Sequence, residues 1–188
     1  MEHPVTTPAL TDLTGTYVLD PAHTRIGFVA RHAMITKVRG SFHEFEGTLH
    51  LDGSDPAKSR ASVSIQADSI DTGNGDRDGH LRTNDFLDAP NHPKITFTST
   101  KAEQVDDTHF RLTGDLEIKG TSKPISIDFE FTGAAQDPFG NQRVGFEGAI
   151  TVSRKEYGLT WNAALEGGGV LVGDKVVLEF DVSAIKQV

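Results

Sequence analysis

The sequence predicts an all-β protein, an eight-stranded antiparallel up-and-down barrel with one or two short helices near its opening. Three observations lead to this fold class. Apolar and polar residues alternate with a period of two through most of the 188 residues, which is typical of strands with one buried face. The segments between these runs are short and rich in Gly, Pro, Asp and Asn, which favours hairpin turns. Strands with one apolar face must pack on a second sheet or close on themselves, and closure removes exposed edges. A two-sheet sandwich is the structural alternative.

The alternating runs cover most of the chain. In the clearest of them, Ile125, Ile127, Phe129 and Phe131 alternate with polar residues. Further runs lie at 25–33, 38–51, 61–70, 94–100, 110–120, 143–153 and 175–183, and turn-like segments at 52–56, 105–109, 119–124 and 137–141. This order predicts about eight or nine strands in a meander.

Two segments break the alternation. Residues 80–90 predict a short helix with Leu81, Phe86 and Leu87 roughly on one side, ended by Pro90. Residues 154–174 alternate poorly and contain three adjacent glycines at 167–169, which predicts a mobile loop or lid because glycine leaves the backbone unrestrained.

Composition excludes several classes of protein. A formal net charge of −9 argues against a nucleic-acid partner and against adsorption to an anionic membrane surface. Cysteine is absent, which excludes disulfides, thiolate metal sites and cysteine nucleophiles. The first residues lack a secretory signal, and no run reaches the roughly 18 apolar residues of a membrane span. We therefore expect a cytoplasmic protein without stable membrane insertion. Residues 1–14 are expected to form a flexible N-terminal extension and 15–188 the barrel domain.

The stretch 73–86 raises a metal hypothesis, because its spacing approaches that of an EF-hand calcium loop. The match is incomplete: Asn74 stands at the first position, Asp85 at the twelfth, and a strand precedes the loop. A solvated turn carrying Asp76 and Asp78 into a helix N-terminus is the favoured interpretation.

Signatures of enzymes are weak throughout. Eight histidines include no H-x-H or H-E-x-x-H pair, and His43 and His50 are expected on opposite faces of a strand. A G-x-S-x-G elbow and a phosphate loop are absent. The sequence predicts no catalytic residues, no metal site and no enzymatic activity. A metal-dependent hydrolase using a His/Asp/Arg cluster is kept as an alternative.

The expected inner face is rich in phenylalanine, and glycines lie within the strands. An eight-stranded barrel can be filled by side chains or can hold one small ligand. The strand glycines, which remove side-chain volume or allow sharp coiling and are compatible with a cavity, are Gly27, Gly47, Gly114, Gly145 and Gly148. A structural barrel with a filled core is the second alternative.

Four stretches, at 17–49, 69–100, 112–131 and 153–162, resemble the YceI-like polyisoprenoid-binding proteins. The resemblance depends most on the strings D-P-x-H-[ST]-x-I-x-F and D-T-G-N…R-D-x-H-L-R. It implies an extended lipocalin-like barrel whose hydrophobic tunnel holds an amphiphilic isoprenoid lipid, either a polyprenyl phosphate or pyrophosphate or an isoprenoid quinone. Because Gly79 falls at a variable place in the second string, the resemblance also implies that the calcium spacing is a coincidence.

The expected ligand site has a polar mouth and an apolar tunnel, with the bound lipid in place of a cofactor. The residues expected to meet the lipid head group are His23, Arg25, His32, Arg39, Arg77, His80 and Arg82. The residues expected along the tail are Phe28, Phe42, Phe45, Ile65, Leu81, Phe86, Phe97, Leu116, Ile127, Phe129, Phe146 and Trp161. Salt bridges that pin loops to the barrel are the alternative role for the arginines. A homodimer is a further expectation.

Overall fold

Eleven β-segments form one closed antiparallel sheet in the computed structural model, which describes residues 10–166 and 169–188. The segments are β1 (Gly15–Leu19), β2 (Arg25–His32), β3 (Thr36–Phe42), β4 (Phe45–Leu51), β5 (Arg60–Gln66), β6 (Ile70–Asp71), β7 (Lys94–Gln104), β8 (His109–Ile118), β9 (Thr121–Gln136), β10 (Gln142–Ser153) and β11 (Val172–Lys186). One α-helix, α1, spans Gly75–Leu81. Short 3-10 helices lie at Leu10–Leu13, Pro56–Lys58, Ala67–Ser69 and Arg154–Tyr157.

The eleven segments make eight strands, because three strands are bent and interrupted. β11 pairs with β2 up to Asp181 and with β1 from Ala184 onward, so β1 and β2 are two halves of one strand. β3 with β4, and β5 with β6, continue one another in the same way. At the first break, Thr24 Oγ1 donates to Ser183 O at 2.9 Å and accepts from Ser183 N at 3.1 Å, which replaces the missing ladder bonds. The predicted eight-stranded up-and-down barrel is confirmed, and the sandwich alternative is wrong.

Antiparallel order divides the connections between two ends of the barrel. The helix end carries the connections 33–35, 72–93, 119–120 and 154–171. The terminal end carries Leu10–Leu13 and the connections 52–59, 105–108 and 137–141. Tyr17, fully buried, donates from its hydroxyl to Leu13 O at 2.9 Å, and Leu13 is itself buried. The last part of the expected N-terminal extension is therefore folded against the barrel, while residues 1–9 lie outside the described residues.

The observed helix begins before the predicted one. The prediction placed it at 80–90, whereas α1 ends at Leu81 and is followed by turns. Asn74 caps α1 by accepting a hydrogen bond from Arg77 N at 3.0 Å, and the acidic residues expected in a turn occupy its first turn. The apolar spacing that suggested a helix arises instead from packing, since Phe86 and Leu87 are buried by successive turns. The acidic residues Asp76 and Asp78, which favour a helix N-terminus, thus located the helix better than the apolar spacing within residues 80–90 did.

Candidate functional site

The barrel interior contains a cavity of about 170 Å³. Six of the predicted tail residues line it: Ile65, Phe97, Leu116, Ile127, Phe129 and Phe146. Along β9 the lining runs from Ile125 to Phe131, a rise of about 20 Å, or about 15 Å along the barrel axis for a tilt of roughly 40°. Since a water-sized group needs about 10–15 Å³ on this measure, the cavity holds about a dozen methylene-sized groups. It has the depth and volume for part of a lipid tail.

Glycines on the inner face create this space. A Cβ at Gly148 would stand 2.7 Å from Cδ1 of Phe129, and a Cβ at Gly114 would stand 2.6 Å from Cζ of Phe97. The ring of Phe28 lies in the same way over Gly40. Each ring thus occupies the place of a side chain on the neighbouring strand instead of the centre of the barrel. Among the strand glycines named from the sequence, Gly114 and Gly148 make room for a ring in this way.

Side-chain packing closes the helix end. Leu87, Ala89 and Tyr157 belong to the same buried cluster as Ile65 and Phe97. The remaining predicted tail residues lie outside the cavity lining: Phe28, Phe42, Phe45 and Leu81 are partly buried against this cluster, and Phe86 and Trp161 lie in the connections of the helix end.

Three aromatic rings meet at the helix end, and we call them the aromatic lid: His80, Phe86 and Trp161. The ring of His80 lies edge-on to Trp161, with centroids 4.7 Å apart, and Phe86 lies 5.1 Å from His80 and 5.4 Å from Trp161. His80 Nε2 lies 2.8 Å from Asp85 Oδ2, which orients the imidazole. The structure therefore brings together one predicted head-group residue, His80, and two predicted tail residues, Phe86 and Trp161.

Arg154 fixes the connection that carries Trp161. Its guanidinium is buried and donates to the carbonyl oxygens of Leu159 (2.5 Å), Trp161 (2.9 Å), Val172 (3.2 Å) and Gly173 (2.8 Å). Burial lowers the pKa of Arg154. Gly167 and Gly168, two of the three glycines predicted to form a mobile loop, lie outside the described residues.

The arginines predicted to meet a head group at the helix end are engaged with backbone carbonyls. Arg77 donates to Thr72 Oγ1 at 2.7 Å and to Thr72 O at 2.9 Å, and Arg82 donates to Asp68 O at 2.8 Å and Ile70 O at 3.2 Å. These bonds hold α1 and the following turn against β6.

Asp78 contributes to the same attachment, because its Oδ1 accepts from Thr72 N at 2.9 Å and Thr72 Oγ1 at 2.5 Å. The expectation that Asp78 lies on a solvated turn is wrong, since it is buried. Its helical position and its bonds to Thr72 also rule out an EF-hand conformation of this stretch. Across the described part of the chain, no three acidic or histidine side chains are grouped as a metal site would require.

The other four predicted head-group residues do not form one group. Arg25 and Arg39 have Nη1 3.9 Å from Glu179 Oε1. His32 is exposed beside the β2–β3 turn, and His23 lies at the terminal end, 2.7 Å from an Asp20 oxygen. None of the seven predicted head-group residues lines the cavity. Their role towards a ligand stays a prediction.

Comparison with known proteins identifies the family of this fold. The family model described as the YceI-like domain matches residues 17–184. The chain belongs to the YceI-like domain family. A UPF0312 protein of Staphylococcus epidermidis is 38% identical over 166 residues, which cover 88% of this chain and 93% of that protein.

Two solved structures share the YceI-like barrel. The Campylobacter jejuni YCEI protein superposes with a TM-score of 0.72 at 29% identity, covering 84% of this chain and 90% of that one. A polyisoprenoid binding domain from Saccharophagus degradans superposes with a TM-score of 0.69, covering 91% and 98% of the two chains. Its identity is 14%, so this second likeness concerns the fold.

The polar residues of the YceI-like cavity lie at the terminal end, where Asp52, Ser59, Arg60 and Arg111 contribute to the lining. Asp52 accepts from Asp55 N at 2.9 Å and Ser54 N at 3.1 Å, and these bonds lower its pKa. Arg111 Nε donates to an Asp128 oxygen at 2.8 Å. Within residues 10–166 and 169–188, Arg60 forms no ion pair. Of the two arginines in the lining, Arg60 is therefore exposed without a carboxylate partner, whereas Arg111 is paired with Asp128.

A clamp of charged residues stabilises the terminal end. Arg143 Nη1 lies 2.7 Å from Asp20 Oδ2, and Arg143 Nε lies 2.8 Å from Asp137 Oδ2, so that one arginine joins the β1–β2 and β9–β10 connections. The hydrogen bond from Arg143, followed by that from Asn141 N, lowers the pKa of Asp137 to about 2. The pKa of Asp20 is also lowered, chiefly by Arg143.

Sequence reasoning left many of the lining residues out of the predicted site. These are Leu10, Leu13, Leu19, Ile26, Leu49, Leu51, Asp52, Gly53, Pro56, Ser59, Arg60, Ala61, Val63, Ala102, Phe110, Arg111, Leu112, Ile125, Phe131, Phe180 and Val182. The period-two pattern could have found several, since Ile125 and Phe131 share a face with Phe129. No local pattern places Leu10 or Arg60 at the cavity.

Proposed function

We propose that this chain is a binding protein that holds the tail of an amphiphilic isoprenoid lipid in the barrel cavity, and that it has no enzymatic activity. One observation carries the proposal: a deep cavity walled by phenylalanine and aliphatic side chains, kept open by glycines on the inner face. The polyisoprenoid binding domain of Saccharophagus degradans, which shares the fold, supports the class of ligand. Polyprenyl phosphates, polyprenyl pyrophosphates and isoprenoid quinones belong to this class.

Burial of the tail supplies enough free energy for binding. At about 0.8 kcal/mol for each methylene group, a dozen groups contribute roughly 10 kcal/mol. Ordering the tail and the protein costs several kcal/mol of this. The remaining 5–7 kcal/mol or so corresponds to a dissociation constant of roughly 10–200 μM from the tail alone.

We place the head group at the terminal end, beside Arg60. This end supplies the polar residues of the cavity, whereas Arg77 and Arg82 at the helix end are already bound to backbone carbonyls. An anionic head beside Arg60 would gain a charge-assisted hydrogen bond. The cytoplasmic location and the homodimer expected from the sequence stay predictions.

The test is lipid binding by the purified protein and by a variant with a filled cavity. Leu112 lines the cavity, so Leu112→Trp should obstruct it, while Thr113→Trp places the same side chain on the outer face of β8 as a control. We expect mass spectrometry of an organic extract to detect an isoprenoid lipid with the wild type and with Thr113→Trp, and far less with Leu112→Trp. Circular dichroism verifies that both variants are folded. The proposal fails if a folded wild type retains no lipid and does not bind geranylgeranyl phosphate, or if Leu112→Trp binds it equally well.

A further inference from the structure

The β2–β3 hairpin presents an apolar tip at the helix end. Met34 is 65% exposed and Ile35 is 79% exposed, and Val170 of the neighbouring connection is also exposed. Ala33 N donates to Leu171 O at 2.7 Å, which fixes the tip beside the segment that follows Trp161. Large apolar side chains that are this exposed on a soluble protein cost solubility, and grouped ones mark interaction surfaces.

The backbone of this tip is also unfavourable. Ala33 and Met34 have φ values of 52° and 63°, in the left-handed region that glycine and asparagine occupy more easily. In the β8–β9 turn at the same end, the second position, which also has a positive φ, is occupied by Gly120, as is usual in hairpins. The hairpin therefore holds Met34 at its tip at a cost in backbone energy, and such strain is found where function requires it.

The charge of the hairpin is opposite to that of the whole chain. Residues 21–43 contain Arg25, Arg31, Lys37 and Arg39 and no aspartate or glutamate, in a chain with a net charge of −9. Arg31 and Lys37 are directly opposite in the β2–β3 register, and a pair of like charges in this position is destabilising. We call residues 31–39 the basic finger.

The carboxylates on the adjoining β11 leave this charge largely uncompensated. Glu179 lies 3.9 Å from Arg25 and from Arg39, further down the hairpin, and Asp174 accepts hydrogen bonds from Ser153. In the described ranges, Arg31 and Lys37 have no ion-pair partner. Arg31 Nη1 donates to Ile35 O at 3.2 Å, whereas the Lys37 side chain has no hydrogen-bond partner within the described residues. The exposed apolar tip is thus flanked by two cations that lack a carboxylate partner.

We propose that the basic finger docks this protein on an anionic lipid bilayer. Met34 and Ile35 enter the boundary between head groups and acyl chains, while Arg31 and Lys37 lie against lipid phosphates, the arrangement of a peripheral membrane anchor. A bilayer fits a protruding aliphatic tip that is flanked by cations, because it offers both an anionic surface and an apolar interior. The chain-average charge argued against such adsorption, but membrane affinity depends on the charge at the contact.

The docking surface also suits the proposed lipid-binding function, on which this one consequence rests. With the helix end against the bilayer and the head group near Arg60, the tail of the bound lipid points toward the membrane. A lipid in a bilayer leaflet has the same orientation. Transfer of the lipid between barrel and membrane therefore requires it to move along the barrel axis but not to turn over.

The test is co-sedimentation with vesicles of phosphatidylglycerol and phosphatidylcholine in equal parts, compared with pure phosphatidylcholine. We expect binding to the anionic vesicles that weakens as salt is added. Met34→Ser with Ile35→Ser should reduce it at least tenfold. Phe139→Ser, at a side chain that is 87% exposed at the terminal end, is the matched control and should leave binding unchanged.

Lys37→Glu separates docking from folding. Removing a charge at an anionic surface weakens binding about fivefold, so this reversal should weaken it about 25-fold. The same change replaces a like-charge pair with an attractive one, so the thermal midpoint should be no lower than that of the wild type. Equal sedimentation with neutral and anionic vesicles, or wild-type sedimentation of the Met34/Ile35 variant, would overturn the proposal. So would binding of the finger to an acidic protein without binding to vesicles. Because the vesicles contain no isoprenoid, the result does not depend on whether the cavity holds one.

Discussion

The ring of Phe129 on β9 lies against Gly148 on β10, so close that a Cβ at Gly148 would stand 2.7 Å from Cδ1 of the ring. Gly148 is therefore the residue that lets Phe129 lie at the wall of the cavity. Asp128 O, at 3.0 Å from the same position, limits how far the backbone can yield.

Gly148→Ala should push Phe129 toward the centre and reduce the cavity. We expect geranylgeranyl phosphate affinity to fall about tenfold or more, since one or two methylene-sized groups of the tail would lose their place. Isothermal titration calorimetry measures this. Gly79→Ala is the control, because a Cβ there meets nothing within 4 Å on the helix α1. It should leave affinity unchanged and raise stability by about 0.5–1 kcal/mol. Unchanged affinity in Gly148→Ala would contradict the role given to this pair.

Trp161→Ala should accelerate exchange of the bound lipid. The aromatic lid loses both of its contacts with Trp161, to His80 and to Phe86, so the helix end opens more easily. We expect transfer of a fluorescent isoprenoid phosphate to acceptor vesicles to become about tenfold faster. The wild type and Phe139→Ala, which removes an exposed ring at the terminal end, should transfer it at the same rate. If Trp161→Ala also leaves the rate unchanged, the lid does not control exchange.

Arg154→Met should destabilise the fold by roughly 2–4 kcal/mol, because buried carbonyls at the helix end lose their donor. Urea unfolding measures the change. Lys155→Met, at the exposed neighbour, should alter stability by less than about 0.5 kcal/mol. Similar effects for both variants would show that the bonds of Arg154 are dispensable.

Arg60→Ala and Arg77→Ala distinguish the two ends of the barrel as the head-group site. We expect Arg60→Ala to weaken binding of geranylgeranyl phosphate about tenfold and binding of the corresponding alcohol very little, because charge-assisted hydrogen bonds require the phosphate. Arg77→Ala should lower thermal stability, since it detaches α1 from Thr72. It should not weaken binding of the phosphate more than binding of the alcohol. A phosphate-specific loss in Arg77→Ala alone would place the head group at the helix end, as the sequence predicted.

The clamp of Arg143 should make stability depend on pH in the acid range. The pKa of Asp137 is depressed to about 2 and that of Asp20 is lowered, so their contribution is present above the pKa of an unfolded aspartate, near 4. It is lost as the pH falls from about 4 through 2. The stability advantage of the wild type over Arg143→Met should therefore be full at pH 7 and shrink over this range, as measured by urea unfolding. An advantage that is constant down to pH 2 would exclude the clamp as its source.

The sequence by itself determined the β-fold, the inner face and the family. Alternation at Ile125, Ile127, Phe129 and Phe131 depends only on the period of a strand, and tight turns at Lys119–Gly120 and Asp137–Asn141 follow from local backbone preferences. These signals are local, so they can be recognised in the sequence without knowing which strands pair. The motif around Arg77 and His80 likewise identified the family, although it could not assign what each side chain contacts.

The tertiary structure decided which side chains border the cavity and which are already engaged. Arg77 and Arg82 looked like free cations in the sequence, yet closure of the barrel places them beside the carbonyls of Thr72, Asp68 and Ile70. Arg60 borders the cavity at the terminal end of β5, although it is exposed and its neighbour Ala61 is the buried residue. Register and closure depend on pairings between residues far apart in the chain, such as that of Leu19 with Ala184, and no local pattern contains them. The sequence likewise contains the basic stretch 21–43, but only the β2–β3 pairing shows that Arg31 and Lys37 lie opposite each other beside an exposed tip.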